Sequence, residues 1–195
     1  MEKDYFDLYG NRQEILQTIL PKGTAKSILL RGLQYYLGQS AQWISDYDVI
    51  AEWLENNHNK GLLLSGSNGV GKTVICTKIL PIVFKYYMKI HSPLELICNV
   101  KATDIEARYD KELSMRYSKI LIIDDMGAES TSTHFGTRRD FVSELVDSCE
   151  ADRRLLITTT NLTPDEIGER YGVRTLDRLR SITHSFTIAH DSMRK

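Results

Sequence analysis

The sequence predicts an α/β fold, a three-layer sandwich built on a central parallel sheet. From about residue 61 onward, strand-like apolar runs alternate with helical patterns, which favours parallel strands joined by right-handed crossovers. Segment 120–125 opens with four consecutive aliphatic residues, as is typical of a strand buried on both faces. A glycine-rich stretch separates the first strand from the helix that follows it, which is the arrangement of a strand–loop–helix motif.

The elements of the first half follow from periodicity. Apolar residues between 15 and 20 form a one-sided helical pattern that Pro21 ends, and Asp46 is expected to cap a second helix. A strand is predicted over 62–65, followed by the glycine-rich loop and a long helix. Pro81 lies inside that helix and removes one backbone hydrogen bond, so we expect a kink or a split there. A strand over 94–100 and a helix over 103–113 follow.

The second half continues the alternation. The buried strand over 120–125 precedes a helix over 137–152, which has apolar residues at four-residue spacing. The next strand is predicted over 155–160. Thr163 then caps a helix with Pro164 at its first position and two acidic residues beside it, a strong start signal. A short helix over 175–180 and a last strand over 186–188 complete the pattern.

Composition limits the class of protein. The chain has 195 residues, of which 42% are hydrophobic and 26% are charged, and these values are typical of a globular protein with one domain and a short appendage. No apolar run approaches the roughly 18 residues of a membrane span, so we expect a cytoplasmic protein without a membrane partner. The net charge of −1 restricts any nucleic-acid binding to local patches. Cys76, Cys98 and Cys149 lie in apolar segments and are expected to be buried thiols.

The glycine-rich loop predicts a triphosphate site. It reads G-S-N-G-V-G-K-T and fits the pattern G-x-x-x-x-G-K-[ST], in which backbone N–H groups and a helix N-terminus hold phosphates. Lys72 is expected to reach the β- and γ-phosphates of ATP, and the Thr73 hydroxyl to ligate Mg²⁺. The alternative is a glycine-rich turn that matches by chance. The predicted nucleotide-binding residues are Gly66, Ser67, Asn68, Gly69, Val70, Gly71, Lys72 and Thr73.

Polar residues at two strand ends predict the rest of the catalytic site. Asp124 and Asp125 end a buried strand, where uncompensated carboxylates are costly. In a P-loop enzyme, Asp124 would hold Mg²⁺ and Asp125 would orient or deprotonate the attacking water. Asn161 ends the next strand and would contact the γ-phosphate or that water, because ligands bind at the carboxyl ends of parallel strands. The alternatives are capping or turn acids for the pair, and an ordinary turn residue for Asn161.

Two arginines complete the catalytic candidates. Arg174 and Arg178 are four residues apart, so they share one face of a helix. A guanidinium presents a rigid fork of donors that suits phosphate, and one or both would act as an arginine finger on nucleotide bound by a neighbouring subunit. The alternative is a pair of surface arginines that form ion pairs with Asp177 or Glu169.

The chain resembles small AAA+ ATPases. The segments G-S-N-G-V-G-K-T, I-L-I-I-D-D-M-G, T-T-T-N and R-Y-G-V-R-T-L-D-R-L occur in the order seen in replicative helicase loaders of the DnaC/DnaI type and in transposition ATPases of the IstB type. The resemblance implies an AAA+ fold without a C-terminal helical lid. It also implies Walker A and B roles for the loop and the aspartates, a sensor role for Asn161, and a subunit-boundary position for Arg174 and Arg178. Asp125 stands where such enzymes usually carry glutamate.

The same resemblance suggests a DNA contact. In loaders, the region before the Walker B strand helps to contact single-stranded DNA. Here that region contains basic residues interleaved with tyrosines, which suits backbone contacts and base stacking. Acidic residues nearly cancel its charge, so a solvated helix face is the alternative. The candidate DNA-binding residues are Lys101, Arg108, Lys111 and Arg116.

These observations lead to one expected function and several rivals. We expect residues 46–195 to form an AAA+ ATPase domain that binds ATP and Mg²⁺ and assembles into a homo-oligomer. We expect residues 1–45 to form a helical or extended segment, which is a candidate for docking a protein partner. The expected role is loading of a replicative helicase onto single-stranded DNA, with slow hydrolysis in the absence of a neighbouring subunit. The rivals are a transposition ATPase that recruits a transposase, a small-molecule P-loop kinase, and a nucleotide-gated adaptor.

Overall fold

The computed structural model describes residues 17–91, 97–129, 133–134 and 137–189. A five-stranded sheet lies at the centre, with the order β2–β3–β6–β1–β7, and every neighbouring pair in it is parallel. Two short strands form a separate antiparallel pair. The strands are β1 (Gly61–Gly66), β2 (Ile97–Lys101), β3 (Ile120–Met126), β4 (Thr133–His134), β5 (Thr137–Arg138), β6 (Leu155–Thr160) and β7 (Thr183–Ile188).

Helices cover both faces of this sheet. They are α1 (Ala25–Leu37), α2 (Asp48–Glu55), α3 (72–91), α4 (Ile105–Tyr109), α5 (Leu113–Tyr117), α6 (Phe141–Ala151), α7 (Pro164–Tyr171) and α8 (Val173–Ile182). Leu62 and Leu64 pack in one core with α1, α2 and α3. Leu63, between them, packs in a second core with α6, α7 and α8. Because successive side chains of a strand point to opposite faces, both faces are buried, and the predicted three-layer sandwich is confirmed.

Helix α3 accommodates Pro81 without a break. It consists of Lys72–Val74, a π-helical segment Ile75–Ile79, and Leu80–His91. Pro81 has no N–H for the carbonyl of Thr77, four residues earlier. The side-chain amide of Asn99, on β2, donates to that carbonyl at 3.0 Å. The expected irregularity is present, and a neighbouring strand supplies the missing hydrogen bond.

Some boundaries differ from the sequence expectations. The single helix expected over 103–113 is wrong, because the chain forms a 3-10 turn (Ala102–Asp104) and then α4 and α5. Helix α6 begins at Phe141, where the Asp140 carboxylate accepts the Ser143 N–H at 3.1 Å. Asp46 lies in a 3-10 turn (Ser45–Tyr47) and does not cap α2. The expected start of β2 at residue 94 falls outside the described residues.

Helices α7 and α8 form a tight corner before β7. Thr163 and Glu166 form the complete capping box at the start of α7, with Pro164 at its first position. Gly172, at φ +87°, ends α7 and starts α8. No helix follows β7 before Ala189, where the described part of the chain ends. No helix among the described residues is long and apolar enough to cross a membrane.

The N-terminal segment shares the first core. Ile19, Leu20, Leu29 and Leu33 are almost fully buried against the helices and strands of that layer. The N–H groups of Ile19 and Leu20 both donate to the carbonyl of Leu54, at the end of α2. The described residues before 46 therefore pack as part of the same globular body. A partner-docking role for residues 1–45 stays a prediction.

Candidate active site

Glycines shape the loop between β1 and α3. Gly66, Gly69 and Gly71 have φ of +131°, +89° and +85°, a region that side chains disfavour. A Cβ on Gly66 would lie 2.2 Å from the Ile188 carbonyl oxygen of β7. The Tyr47 hydroxyl donates to the carbonyl of Val70, a residue of this loop, at 2.9 Å. Burial raises the pKa of Tyr47 to about 12, so this donor keeps its proton at neutral pH.

Lys72 lies across this loop. Its side-chain ammonium donates to the carbonyls of Gly66 at 2.7 Å and Ser67 at 2.8 Å, and to Oδ1 of Asn161 at 2.9 Å. An ammonium has three N–H bonds, and all three are engaged. Burial lowers the pKa of Lys72 below its ordinary value, while the nearby carboxylates of Asp125 and Asp124 oppose that shift. The structure therefore places the lysine, the amide and both acids in one site.

The two aspartates form a β-bulge. Ile123 pairs with Thr158 of β6 and Met126 pairs with Thr160. On that strand, Asp124 and Asp125 are therefore together opposite a single residue, Thr159. Asp125 has a φ of +55°, which is unusual for a residue other than glycine. Asp124 is 1% exposed, whereas Asp125 lines the open cleft beside Lys72. In a regular strand, two adjacent side chains point to opposite faces of the sheet. Because a bulge changes the direction of the side chains, the two adjacent carboxylates here belong to one site.

Threonines on β6 hold the bulge, a role that the sequence analysis missed. The Thr159 hydroxyl donates to Oδ1 of Asp124 at 2.7 Å and accepts the Asp125 N–H at 2.9 Å. The Thr160 hydroxyl donates to the carbonyl of Met126 at 2.6 Å and accepts the Leu162 N–H at 3.0 Å. The available signal was the run of three threonines at the end of an otherwise apolar strand.

A cleft of about 1080 Å³ opens beside the loop. One wall carries Asn68, Lys72, Thr73 and Asp125, and the other comes from the chain between α1 and the 3-10 turn before α2. Sequence reasoning missed that second wall, because the segment has no periodic pattern. A deep cleft with phosphate-binding backbone at one end fits a nucleotide. The residues of the second wall are Leu37, Ser40, Ala41, Gln42, Trp43, Ile44 and Ser45.

The site also fits Mg²⁺. Magnesium prefers oxygen ligands, commonly one or two carboxylates together with substrate phosphates. Thr73 lines the cleft, and the buried carboxylate of Asp124 lies close enough to Lys72 to oppose the lowering of that lysine's pKa. A carboxylate buried to this extent is stabilised by a metal ion. Thr73 and Asp124 would therefore hold the ion, with Asp125 beside it.

The two candidate arginines lie elsewhere. Arg174 and Arg178 line a separate hollow of about 570 Å³, formed with residues of α6 and α8. Arg178 forms ion pairs with Asp147 and, at 2.8 Å, with Glu150, and its side chain is 20% exposed. Arg174 is 75% exposed and lies 3.9 Å from Asp147. Both arginines therefore pair with acids, but these are acids of α6 and not the Asp177 or Glu169 named in the alternative interpretation.

One candidate DNA-binding residue, Arg116, belongs to an arginine–aromatic surface. Arg116 lies over the rings of Tyr109 and Tyr117, and Arg139 over those of Tyr109 and Phe141. Arg108 is engaged by Glu112 through two hydrogen bonds of 2.8 Å. Lys101 and Lys111 are exposed to solvent. The three cysteines are buried as expected, and burial raises the pKa of each thiol.

The family comparison agrees with this geometry. The sequence model of the AAA family, "ATPase family associated with various cellular activities", matches residues 62–183, more than half of the chain. The chain belongs to the AAA family. The matched residues include the glycine-rich loop, the aspartate bulge and Asn161, as well as both arginines. A search of curated protein sequences found no significant match.

Solved structures share the fold. DnaI is 15% identical, with a TM-score of 0.51 over 93% of each chain. DnaA from Aquifex aeolicus bound to AMPPCP is 17% identical, with a TM-score of 0.52 over 81% of this chain and 51% of that one. DnaA bound to AMPPCP and single-stranded DNA is 15% identical, with a TM-score of 0.50 over 91% of this chain and 50% of that one. The chain thus spans about half of DnaA and nearly all of DnaI. The predicted likeness to DnaI-type proteins in fold is confirmed.

Proposed function

We propose that this AAA ATPase hydrolyses ATP and uses the cycle to load a replicative helicase onto single-stranded DNA. The observation that carries the catalytic part is the 2.9 Å hydrogen bond between Lys72 and Asn161, which joins the first residue of α3 to the end of β6 beside the aspartate bulge. Residues from three strand ends meet there, where ligands bind in parallel sheets. The nucleotide seen in two structures of similar fold supports ATP as the ligand.

The chain's own residues suggest how the site works. When ATP enters, Lys72 exchanges its carbonyl acceptors in the loop for phosphate oxygens, and the amide of Asn161 is released to face the γ-phosphate. Asp125 accepts a hydrogen bond from the attacking water and orients it. Mg²⁺, held by Thr73 and Asp124, would neutralise charge on the β- and γ-phosphates. The left-handed backbone at Asp125 pre-positions that carboxylate, since such strain recurs at active sites.

Arg174 and Arg178 are proposed to act on a neighbouring subunit's nucleotide. They line a hollow that shares no lining residue with the cleft of their own chain, and Arg174 is largely exposed. A head-to-tail oligomer would bring such a surface to the next cleft. An arginine supplied in trans contributes about 10³–10⁵ in rate in related phosphoryl transfers, so we expect a lone subunit to hydrolyse ATP slowly.

The DNA-binding role is supported by the surface around Tyr109. Two arginines lie over three aromatic rings there, and Tyr117 is 67% exposed. Exposed aromatic rings and guanidinium groups offer stacking platforms and phosphate contacts for unpaired bases. Lys101 and Lys111 would add backbone contacts, and Arg108 would do so by leaving Glu112. The resemblance to DnaC/DnaI-type loaders supports a replicative helicase as the partner.

Steady-state ATP turnover tests the proposal. Turnover of the wild type is measured alone, with oligo-dT and with duplex DNA of equal length, and Lys72→Ala serves as the inactive reference. We expect oligo-dT to stimulate turnover more than duplex DNA does. Stimulation by duplex alone would point to the transposition rival. Turnover that DNA does not change, with phosphate transferred to a soluble metabolite, would indicate a kinase.

The surface itself is tested by DNA affinity. Arg116→Ala should weaken oligo-dT binding and flatten its salt dependence by about 0.7 in log–log slope per lost phosphate contact. Arg31→Ala removes the same charge from the exposed side of α1 and is the matched control. Equal losses in both variants would show that only net charge matters. Helicase loading is then measured by unwinding of a forked substrate coated with single-strand-binding protein.

A further inference from the structure

Glu129 occupies the centre of a polar network that the proposed catalytic site does not use. Its side chain is 19% exposed and lies just beyond the bulge that carries Asp125. Oε2 accepts the N–H of Gly127 at 3.0 Å, so the carboxylate folds back over its own turn. Oε1 accepts Nε of Arg170 at 3.2 Å and the hydroxyl of Tyr171.

The same turn is fixed to the catalytic residue. The Ala128 N–H donates to the carbonyl of Asp125 at 2.9 Å. Gly127 has a φ of +103°, and a Cβ there would lie 2.6 Å from the side chain of Leu162, next to Asn161. The turn therefore depends on a glycine at position 127, and the carboxylate of Glu129 accepts the N–H of that residue.

The other end of the network is fixed in the core. Tyr171 is buried, and its ring packs in the second core near Ile167 and Leu179. Arg170 also donates to the backbone carbonyl of Glu129. Both residues end α7 and precede Gly172, from which α8 carries Arg174 and Arg178. One carboxylate thus joins the Asp125 turn to the corner that precedes the arginine helix.

We propose that Glu129 is a positioning residue, which holds the Asp125 turn in its active shape by bonding the Gly127 N–H on one side and Arg170 and Tyr171 on the other. This inference rests on the proposed ATP hydrolysis. Glu129 acts through Asp125 and touches no phosphate. A carboxylate suits this position because, among the described residues, its oxygens accept from three kinds of donor: one backbone N–H, one guanidinium and one hydroxyl.

The test is the isosteric variant Glu129→Gln. The side-chain amide nitrogen of the glutamine cannot accept a hydrogen bond. The network must therefore lose the hydrogen bonds that one of the two carboxylate oxygens accepts. We expect kcat to fall about 10- to 100-fold, as for a small displacement of a catalytic group, with ATP affinity within threefold of the wild type. Glu144→Gln is the matched control, because that carboxylate also binds an arginine through both oxygens, at 2.8 and 2.9 Å, but on the surface of α6.

Two further variants separate positioning from folding. Tyr171→Phe removes one donor, keeps the buried ring and should lower kcat by a smaller factor, so the idea is testable even if Glu129→Gln does not fold. In an Asp125→Asn background, Glu129→Gln should have almost no additional effect, because residues that act as a unit are not additive. A full additional loss in that background would overturn the positioning role, as would wild-type turnover in Glu129→Gln. Absence of turnover in the wild type would instead contradict the proposed function itself.

Discussion

At the scale of single residues, one hydroxyl organises the two candidate catalytic acids. Thr159 donates to the buried carboxylate of Asp124 and accepts the N–H of Asp125. A bulge leaves backbone groups without their regular ladder partners, so a side chain must replace them. Thr159 does so at the position that faces both aspartates, which explains why a hydroxyl is present on a strand buried along its whole length.

This role predicts a contrast between neighbouring threonines. Thr159→Val keeps the shape and removes the hydroxyl, so we expect ATP turnover to fall about 10- to 100-fold as both aspartates lose their fixed orientation. Thr158 is also fully buried, but its hydroxyl has no hydrogen-bond partner among the described residues. Thr158→Val should leave turnover within twofold and stabilise the fold by about 1 kcal/mol, since an unsatisfied buried hydroxyl is costly. Steady-state kinetics and thermal unfolding of both variants measure the contrast, and equal turnover in the two would refute it.

The aspartates themselves should separate metal binding from water activation. Asp125→Asn should lower kcat about 10²–10⁴-fold, the contribution of a positioned base, while ATP still binds. Asp124→Asn should instead remove the effect of Mg²⁺ on ATP affinity, because the carboxylate that holds the ion is lost. Titration calorimetry with and without Mg²⁺, beside a turnover assay, distinguishes the two. Magnesium-dependent affinity in Asp124→Asn that matches the wild type would exclude Asp124 as the ligand.

At the scale of elements, β2 supplies a hydrogen bond that the proline-containing helix α3 lacks. Thr77 lies four residues before Pro81, and its carbonyl accepts the side-chain amide of Asn99. We expect Asn99→Ala to cost about 0.5–1.5 kcal/mol of unfolding free energy in the wild type. In a Pro81→Ala background the helix regains an N–H, so the same change should cost less. A double-mutant cycle by urea unfolding measures this coupling, and additive losses would show that Asn99 does not compensate for the proline.

The elements also show what sequence patterns can reveal. The strand over 155–160 and the capped start of α7 were predicted at the observed positions, because burial and capping are local signals. The prediction of one helix over 103–113 was wrong, because the mixed charged residues of this segment do not indicate the break between α4 and α5. The bulge at Asp125 was not predicted, because it depends on the register between β3 and β6. Glu129 was not recognised for the same reason: its partners lie 41 and 42 residues away.

At the scale of the whole molecule, the N-terminal segment completes the cleft beside the glycine-rich loop. Helix α1 packs its buried leucines into the first core, and the chain after it forms the second wall of the cleft. Trp43 is held there by Asp48, which accepts its indole N–H at 2.9 Å. The glycine-rich motif made the first wall of the cleft predictable from the sequence. The second wall was not predictable, because it arises from tertiary packing of a segment without a periodic pattern.

Because of the two arginines, we expect ATP turnover to depend on assembly of the oligomer. If Arg178 acts on a neighbour's nucleotide, two inactive variants should restore each other. Lys72→Ala keeps Arg178 but does not hold ATP, whereas Arg178→Ala keeps the cleft but lacks the arginine. In a random equimolar ring, about a quarter of the interfaces join an intact cleft to an intact arginine, so the mixture should recover about that fraction of wild-type turnover.

Folding controls make this mixing experiment decisive. Arg178 pairs with Asp147 and Glu150 on α6, so Arg178→Ala also removes one ion pair from each of these acids. Asp147→Asn weakens the same ion pair while keeping the arginine, and it should unfold near the temperature of Arg178→Ala yet retain stimulated turnover. A mixture no more active than its two components, from folded and co-assembling proteins, would place Arg178 in its own subunit's structure. Recovery in the mixture, with ATP affinity unchanged in Arg178→Ala, would identify the arginine as one that acts across the subunit boundary.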